Sequence, residues 1–255
     1  MTADLDKDDI RAFYNRMWSH YDRGLNRHER DRFAAIIALV RHLERPNKAI
    51  LDAGCGLGKL AERLLPFGEV TATDWSDAGV KAACQRVAGA RFFTLDFVRD
   101  DIAPLVGRFG LVVSSEVLEH VGRDNRLTFV RNLAACLVPG GFLVLTTPNK
   151  EVEERLPKTP NHSSEDLSEP ESWHQPEDDL LTVGETLKVI AEAGLRVLRC
   201  GSATFLEHLW ERSSKFRRLR SSLARDRLGR DPLDRLLGST RFGLYTVVLA
   251  RRERE

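Results

Sequence analysis

The sequence predicts an α/β fold built on a parallel sheet, and three observations point to it. Short apolar runs of strand length alternate with segments whose apolar residues recur at helical spacing. The first of these strands, ending Leu51-Asp52-Ala53, runs straight into three alternate glycines, Gly54, Gly56 and Gly58, and then into a helical pattern. The alternation breaks only after residue 149, where an acidic and later a basic stretch interrupt it. Such a chain covers its sheet on both faces and places ligands at the carboxyl ends of the strands.

The elements follow in order. Residues 9–45 read as helical, with Ile10, Phe13, Met17 and Tyr21 and then Phe33, Ile36, Ile37, Val40 and Leu43 at helix spacing, and Pro46 ends that region. Strands are expected at 48–53, 69–73, 91–95, 109–114 and 142–147, with helices at 58–65, 77–88 and 124–137 between them. Residues 150–181, rich in Glu, Asp, Ser and Pro and without a period, read as a long loop or lid. A helix at 182–193 and a strand at 195–200 resume the series, and the strand 242–250 closes it after a basic helical stretch at 204–237.

The glycine turn is the first feature with chemical content. A side chain at Gly54 or Gly56 would keep a ligand off the backbone, and amides freed at a helix start favour a negative group. The alternative is a tight strand-to-helix turn with no ligand. A dinucleotide fingerprint, G-x-G-x-x-G, requires glycine at position 59, and Lys59 stands there instead.

Composition narrows the classes. The chain has 255 residues, enough for one domain with a sizeable core, and 39 basic against 38 acidic residues, which is not the footprint of a nucleic-acid binder. Cys55, Cys84, Cys136 and Cys200 are widely spaced, without a C-x-x-C pair or zinc spacing, as expected of reduced thiols in a cytoplasmic protein. The start, Met-Thr-Ala-Asp-Leu-Asp-Lys-Asp-Asp, is acidic where a signal peptide is basic and then apolar, and no window approaches a membrane span.

Four motifs stand in order along the chain: G-x-G-x-G after a strand ending Leu-Asp; Asp74 closing the second strand; Ser114-Ser115-Glu116-Val117-Leu118-Glu119-His120-Val121 after the fourth; and Leu137-Val138-Pro139-Gly140-Gly141-Phe142 leading into the fifth. Together they resemble the class I S-adenosylmethionine-dependent methyltransferases, and the segment from Glu116 to Val121 is similar to that of the small-molecule and quinone-pathway branch. The resemblance covers about residues 48–149 motif by motif and 182–200 more loosely. It implies a Rossmann-like seven-stranded sheet, mostly parallel with the last strand antiparallel, helices on both faces, an N-terminal helical cap and two insertions. A single domain over 1–255 is expected, divided into the cap at 1–46, a cofactor-binding half at 47–149, an acidic lid at 150–181, and a C-terminal half at 182–255 with a basic insertion at 202–240.

The resemblance implies S-adenosyl-L-methionine as cofactor, released as S-adenosyl-L-homocysteine. Gly54, Gly56 and Gly58, with Cys55 as a small filler among them, would let the backbone approach the methionine portion, and Asp52 is placed to meet its ammonium. Asp74 would accept both ribose hydroxyls; a helix cap is the alternative. Trp75 lies against the adenine face or in the core, Asp96 meets the adenine amino group or is a turn residue, and Phe97 packs beside the ring. Ser115 and Glu116 line the pocket at the end of the fourth strand. Tyr14, Trp18, Tyr21 and Arg32 belong to the segment that covers the cofactor in similar enzymes, Arg32 either meeting the methionine carboxylate or lying on a solvated helix face.

Methyl transfer from a sulfonium needs alignment more than acid catalysis, plus a base when the acceptor is a hydroxyl or a protonated amine. His174, just before the helix at 182, His120 and Glu119 are the candidates, with His120 also readable as scaffold behind the pocket. No Asp/Asn-Pro-Pro-aromatic motif of DNA-amine enzymes and no Pro-Cys nucleophile is present, so nucleic acid is a poor acceptor. Thr146-Thr147-Pro148-Asn149 stands where metal-dependent catechol enzymes carry carboxylates, so no metal is expected. Residues 151–181 carry ten acidic and two basic side chains, and 211–230 eight basic and two acidic. With Phe205, Leu209, Phe216, Leu219 and Leu223 as an apolar stripe, the basic segment suits an anionic membrane, an acidic substrate or the acidic lid, or is a solvated helix packed on the core. The leading expectation is methyl transfer to an oxygen, or a nitrogen, of a small molecule. The alternatives are a lipid-linked or glycan acceptor at a membrane surface, and a non-catalytic cofactor-binding subunit.

Overall fold

The structure, a computed structural model, describes residues 7–20, 24–154, 179–204 and 243–254. The N-terminal helical region is two helices, α1 (Lys7–His20) and α2 (Arg27–Val40). Asn26 starts the second with a capping box: its side chain accepts from the Glu29 amide, and the Glu29 carboxylate accepts from the Asn26 amide, each at 2.8 Å. Then come β1 (Ala49–Ala53), α3 (Lys59–Leu64), β2 (Glu69–Asp74), α4 (Asp77–Arg86), β3 (Arg91–Thr94), β4 (Phe109–Ser115), α5 (Arg126–Cys136), β5 (Leu137–Pro148), the single turn α6 (Lys150–Glu153), α7 (Val183–Glu192), β6 (Leu195–Ala203) and β7 (Tyr245–Arg252).

The seven strands form one sheet in the order β3-β2-β1-β4-β5-β7-β6, with β7 antiparallel to both of its neighbours and the other strands parallel. The chain order reverses between β1 and β4, which opens a crevice at their carboxyl ends. Alternate side chains supply two cores. Ile50, Leu111, Val113 and Val144 meet Phe33, Ile36 and Val40 of α2 and Leu60 and Leu64 of α3. Leu51, Val112, Leu143 and Leu145 meet Phe129, Val130 and Leu133 of α5 and Ile190 of α7 on the other face. Burial on both sides explains why the central strands read as continuous apolar runs.

Two boundaries differ from the sequence expectation for a local reason. The Pro139-Gly140-Gly141 segment does not precede β5 but lies within it: Phe109 pairs with Leu137 and Leu111 with Phe142, so the intervening residues bulge out of the ladder. The strand β6 runs on to Ala203, so the basic insertion starts after Thr204 and not at 202. Most of the acidic segment and all of the basic one, including the apolar stripe from Phe205 to Leu223, lie outside the described residues.

The necks of both insertions meet at Asn149, which is buried. Its amide donates to Leu244 O (2.8 Å) and its Nδ2 to Gly243 O (3.3 Å), where the basic segment returns. Its Oδ1 accepts from the Glu151 amide at the start of the acidic segment, and it forms a parallel bridge with Leu181 at that segment's end. Asp179 is fastened there by ion pairs to Arg123 (3.2 Å) and to the buried Arg126 (3.1 Å).

The three glycines of the first turn serve three ends. At Gly54 (φ +85°) a Cβ would lie 2.1 Å from Val117 Cγ2, so the glycine is required by a neighbouring loop of the protein itself. At Gly58 (φ +72°), which opens α3, a Cβ would press on Ala83, Val87 and Phe92 at 3.1–3.3 Å. At Gly56 the neighbour is the Trp18 indole, 3.1 Å away. Substituting Gly54 with Ala is therefore expected to cost about 2–4 kcal/mol through backbone strain and overpacking. Gly56→Ala carries the strain of positive φ (+49°) but would press only on a side-chain edge, and costs less; comparing the two variants by thermal or urea unfolding checks this order.

Candidate functional site

A carboxylate ties the turn after β1 to the turn after β2. Asp74, buried at the end of β2, accepts from the Gly56 amide (2.8 Å) with one oxygen and from the Ser76 amide (2.9 Å) with the other. Each oxygen keeps a second lone pair, so this clamp leaves acceptor capacity for a ligand. Burial raises the Asp74 pKa from its ordinary value, while the two amides work against that rise. Ser76 caps α4 by accepting from the Gly79 amide, so helix capping does not require Asp74.

Four of the turn's amides are taken inside the protein. Gly54 and Cys55 N–H both donate to Thr73 O, Gly58 N–H donates to Cys55 O, and Gly56 N–H is taken by Asp74. Lys59, the residue that breaks the dinucleotide spacing, is buried and pairs with Glu29 at 3.1 Å, tying α3 to the start of α2.

What the crevice gathers is acid. Asp52, at the end of β1, has one oxygen buried without a hydrogen-bond partner, and burial, reinforced by the neighbouring Asp74 charge, pushes its carboxyl up to about 7. At the end of β4, Glu116 sits in left-handed backbone at φ 58°. Its carboxyl is pushed up to about 8 by burial, opposed by Arg32 and reinforced by Glu119. Glu119 is buried and accepts from Thr147 Oγ1 at 2.9 Å.

Arg32 faces Glu116 and Glu119. Its Nε donates to Ser115 Oγ (3.0 Å), a terminal nitrogen lies 3.7 Å from Glu116, and its guanidinium stacks over the Tyr245 ring at 4.8 Å. It faces inward, so the solvated-face alternative does not hold. A directional chain runs from Arg32 through Ser115 Oγ and Thr146 Oγ1 (2.9 Å) to Glu116 Oε1 (3.0 Å).

An aromatic group from α1 lies over the glycine turn. Phe13, Tyr14 and Met17 are buried, and Trp18 and Trp75 pack against them. The indole of Trp18 contacts both Gly56 and Gly79, and Asn15 accepts from Ser76 Oγ at 2.7 Å. Tyr14 Oη lies 3.2 Å from His120 Nδ1, whose other ring nitrogen is 3.8 Å from Glu119. Thus Tyr14, Trp75, His120 and Glu119 form one connected wall.

Other candidates are placed differently. Asp96 is a turn residue, its Oδ1 accepting from the Val98 amide and its backbone carbonyl from two amides beyond. Phe97 does not flank the site in the expected way: it is buried edge-on against Phe129 in the main core, because the turn after β3 folds back under α5. Cys55 is buried with its thiol pushed well above the ordinary range, mainly by burial, as suits a filler. Tyr21 and His174 lie outside the described residues.

Sequence reasoning passed over Thr146, Thr147, Tyr245 and His28. The two threonines were visible as a polar pair ending an apolar strand, and each holds a different carboxylate. Tyr245, which pairs with Pro148 and approaches His28 Nδ1 at 3.5 Å, comes from the far end of the chain; only the sheet order brings it here.

The chain is similar to known proteins in sequence and in fold. A methyltransferase domain family matches residues 18–213. The ubiquinone biosynthesis O-methyltransferase of Xanthomonas campestris pv. campestris is 34% identical over 157 residues, covering 58% of this chain and 62% of that protein, so the match spans about three-fifths of the relative's length. The N-methyltransferase NodS from Bradyrhizobium japonicum WM9, solved with S-adenosyl-L-homocysteine, shares the fold at a TM-score of 0.63 with 17% identity, covering 96% of this chain and 99% of that one. Magnesium protoporphyrin IX methyltransferase from Synechocystis PCC 6803 does so at 0.59 with 18% identity, covering 97% and 100%. With the ordered motifs, the antiparallel last strand and the acidic crevice on the same sheet edge, the chain belongs to the methyltransferase domain family, within the class I S-adenosylmethionine-dependent enzymes.

Proposed function

We propose that the protein transfers a methyl group from S-adenosylmethionine to an oxygen, or a nitrogen, of a small-molecule acceptor. The observation that carries the reading is the charge of the crevice: Asp52, Asp74, Glu116 and Glu119 are buried or nearly so, and Arg32 faces the last two. Buried acids that are not offset by the protein call for a positive ligand. A sulfonium with an ammonium on the same molecule supplies two positive centres; a pyrophosphate would add to the repulsion.

The residues fit that cofactor. The unpartnered oxygen of Asp52 suits the ammonium, Asp74 the ribose hydroxyls, Arg32 the carboxylate, and Trp75 and Tyr14 the apolar faces. When bound, the cofactor supplies a methyl on a leaving group that becomes neutral on transfer. The chain's own work is to align the acceptor and exclude water. Glu119 and His120, joined to one another and to Tyr14, are the candidates for taking a proton from an acceptor, with His174 a further candidate from the acidic segment.

The acceptor pocket is assigned to the two oppositely charged insertions. What supports this is the junction at Asn149, which sets both necks at the end of β5 beside Thr146 and Thr147. The 34% identity to a ubiquinone-pathway O-methyltransferase favours oxygen, and a phenolic acceptor in particular. Among the described residues no helix is long and apolar enough to cross a membrane.

Incubation with methyl-labelled cofactor and pooled phenols, catechols and amines is expected to label a phenol or catechol; a protein that binds the cofactor yet labels no pool overturns the catalytic reading. Asp52→Asn is expected to weaken cofactor binding by about tenfold or more, as loss of a charged hydrogen-bond acceptor does. Because burial raises the Asp52 pKa, the unfolded chain releases that proton first, and stability falls as pH climbs from the ordinary carboxylate range through about 7. The same variant should therefore melt higher than wild type at pH 8 without ligand, and equally at pH 4. Asn149→Ala should raise KM for the acceptor while leaving cofactor affinity within about twofold, since energetic effects at separated sites are nearly independent; steady-state kinetics and calorimetry together check it.

A further inference from the structure

Glu116 is poorly explained by cofactor binding alone. It occupies left-handed backbone, costly for a residue with a side chain, and that conformation turns its carboxyl toward Arg32. The side chain is held from the other direction by Thr146, which also accepts from Ser115, the hydroxyl that holds Arg32. The two charged groups are therefore fixed in facing positions by one hydrogen-bonded frame, at 3.7 Å. A guanidinium whose carboxylate partner belongs to the protein offers less to a carboxylate that arrives from outside.

Resting on the cofactor reading above, we propose that Glu116 acts as an internal stand-in for the cofactor's carboxylate at Arg32, and that binding exchanges the one for the other. Glu116 is thus a positioning residue: it keeps Arg32 over Tyr245 and competes with the incoming ligand for it. The other groups facing this pair are Glu119 and His120 after β4, Thr146 of β5, Tyr245 of β7 and, further along α2, Glu29. Protonation of Glu116 removes the competitor. With its carboxyl pushed up to about 8, Glu116 is largely neutral at pH 6.5 and largely ionised at pH 8.5. Affinity limited to the fraction with a neutral Glu116 is then reduced about fourfold at pH 8.5 and hardly at all at pH 6.5.

The test is calorimetric titration of the full chain with S-adenosylhomocysteine and with 5′-methylthioadenosine, which lacks the amino-acid portion. Glu116→Gln is expected to tighten S-adenosylhomocysteine about fourfold at pH 8.5, with a ratio to wild type near one at pH 6.5. Methylthioadenosine affinity should not change. Ionisation of the ligand's own amine is common to both proteins and cancels in the ratio. Glu116→Gly, at home in left-handed backbone and without a carboxylate, should shift affinity the same way, which guards against a folding defect in one variant. In an Arg32→Gln background the gain should vanish. Variants that bind S-adenosylhomocysteine as weakly as wild type, or more weakly, at pH 8.5 overturn the exchange while leaving the cofactor reading intact. Failure of the wild-type protein to bind either compound overturns both.

Discussion

Asp74 holds two chain reversals in one place. By accepting from the Gly56 amide and the Ser76 amide, it fixes the turn after β1 against the turn after β2, and the crevice floor is the product of that clamp. A buried carboxylate is costly, and two backbone amides offset part of the cost. The rest of the site follows from it. Four of the loop amides are taken inside the protein, and the walls add further acids. One arginine from α2 faces Glu116 and Glu119.

This arrangement ties binding to stability. Asp52 and Glu116 are raised chiefly because burial strips their charges of water. A protein that built a neutral pocket would fold more firmly and hold a sulfonium less well. The helices laid over the edge work in the same direction. Tyr14, Met17 and Trp18 of α1 cover the turn with aromatic and thioether surface, which excludes water and strengthens every electrostatic contact beneath.

Much of this was legible in the sequence, because the relevant signals are local. A strand ending Leu51-Asp52-Ala53 before alternate glycines, Asp74 closing the next strand, and Glu116 to His120 closing the fourth all lie within a few residues of their elements, so order and sheet edge follow from pattern. The reasons behind the residues were less legible. Gly54 is glycine because Val117 lies against it, a contact across more than sixty positions that no spacing rule displays. Lys59 was readable as a break in a fingerprint, yet its partnership with Glu29 depends on how α2 docks. Arg32 stood among several arginines, and only packing selects the one that turns inward. Phe97 sits in the core because the turn after β3 folds back under α5, a tertiary event that overrides its place in the motif. Tyr245 and Thr146 become neighbours of the site only through the inserted, antiparallel β7.

The junction at Asn149 has an architectural consequence. One buried side chain and its backbone receive the outgoing strand of one excursion and the returning ends of both, so the excursions are anchored at their bases and free in their lengths. Insertion or deletion within either segment leaves the ladder between β5 and β7 unbroken, since the hydrogen bonds that close it belong to residues outside the excursion. The sheet edge thus behaves as a fixed socket from which two segments depart and to which both return.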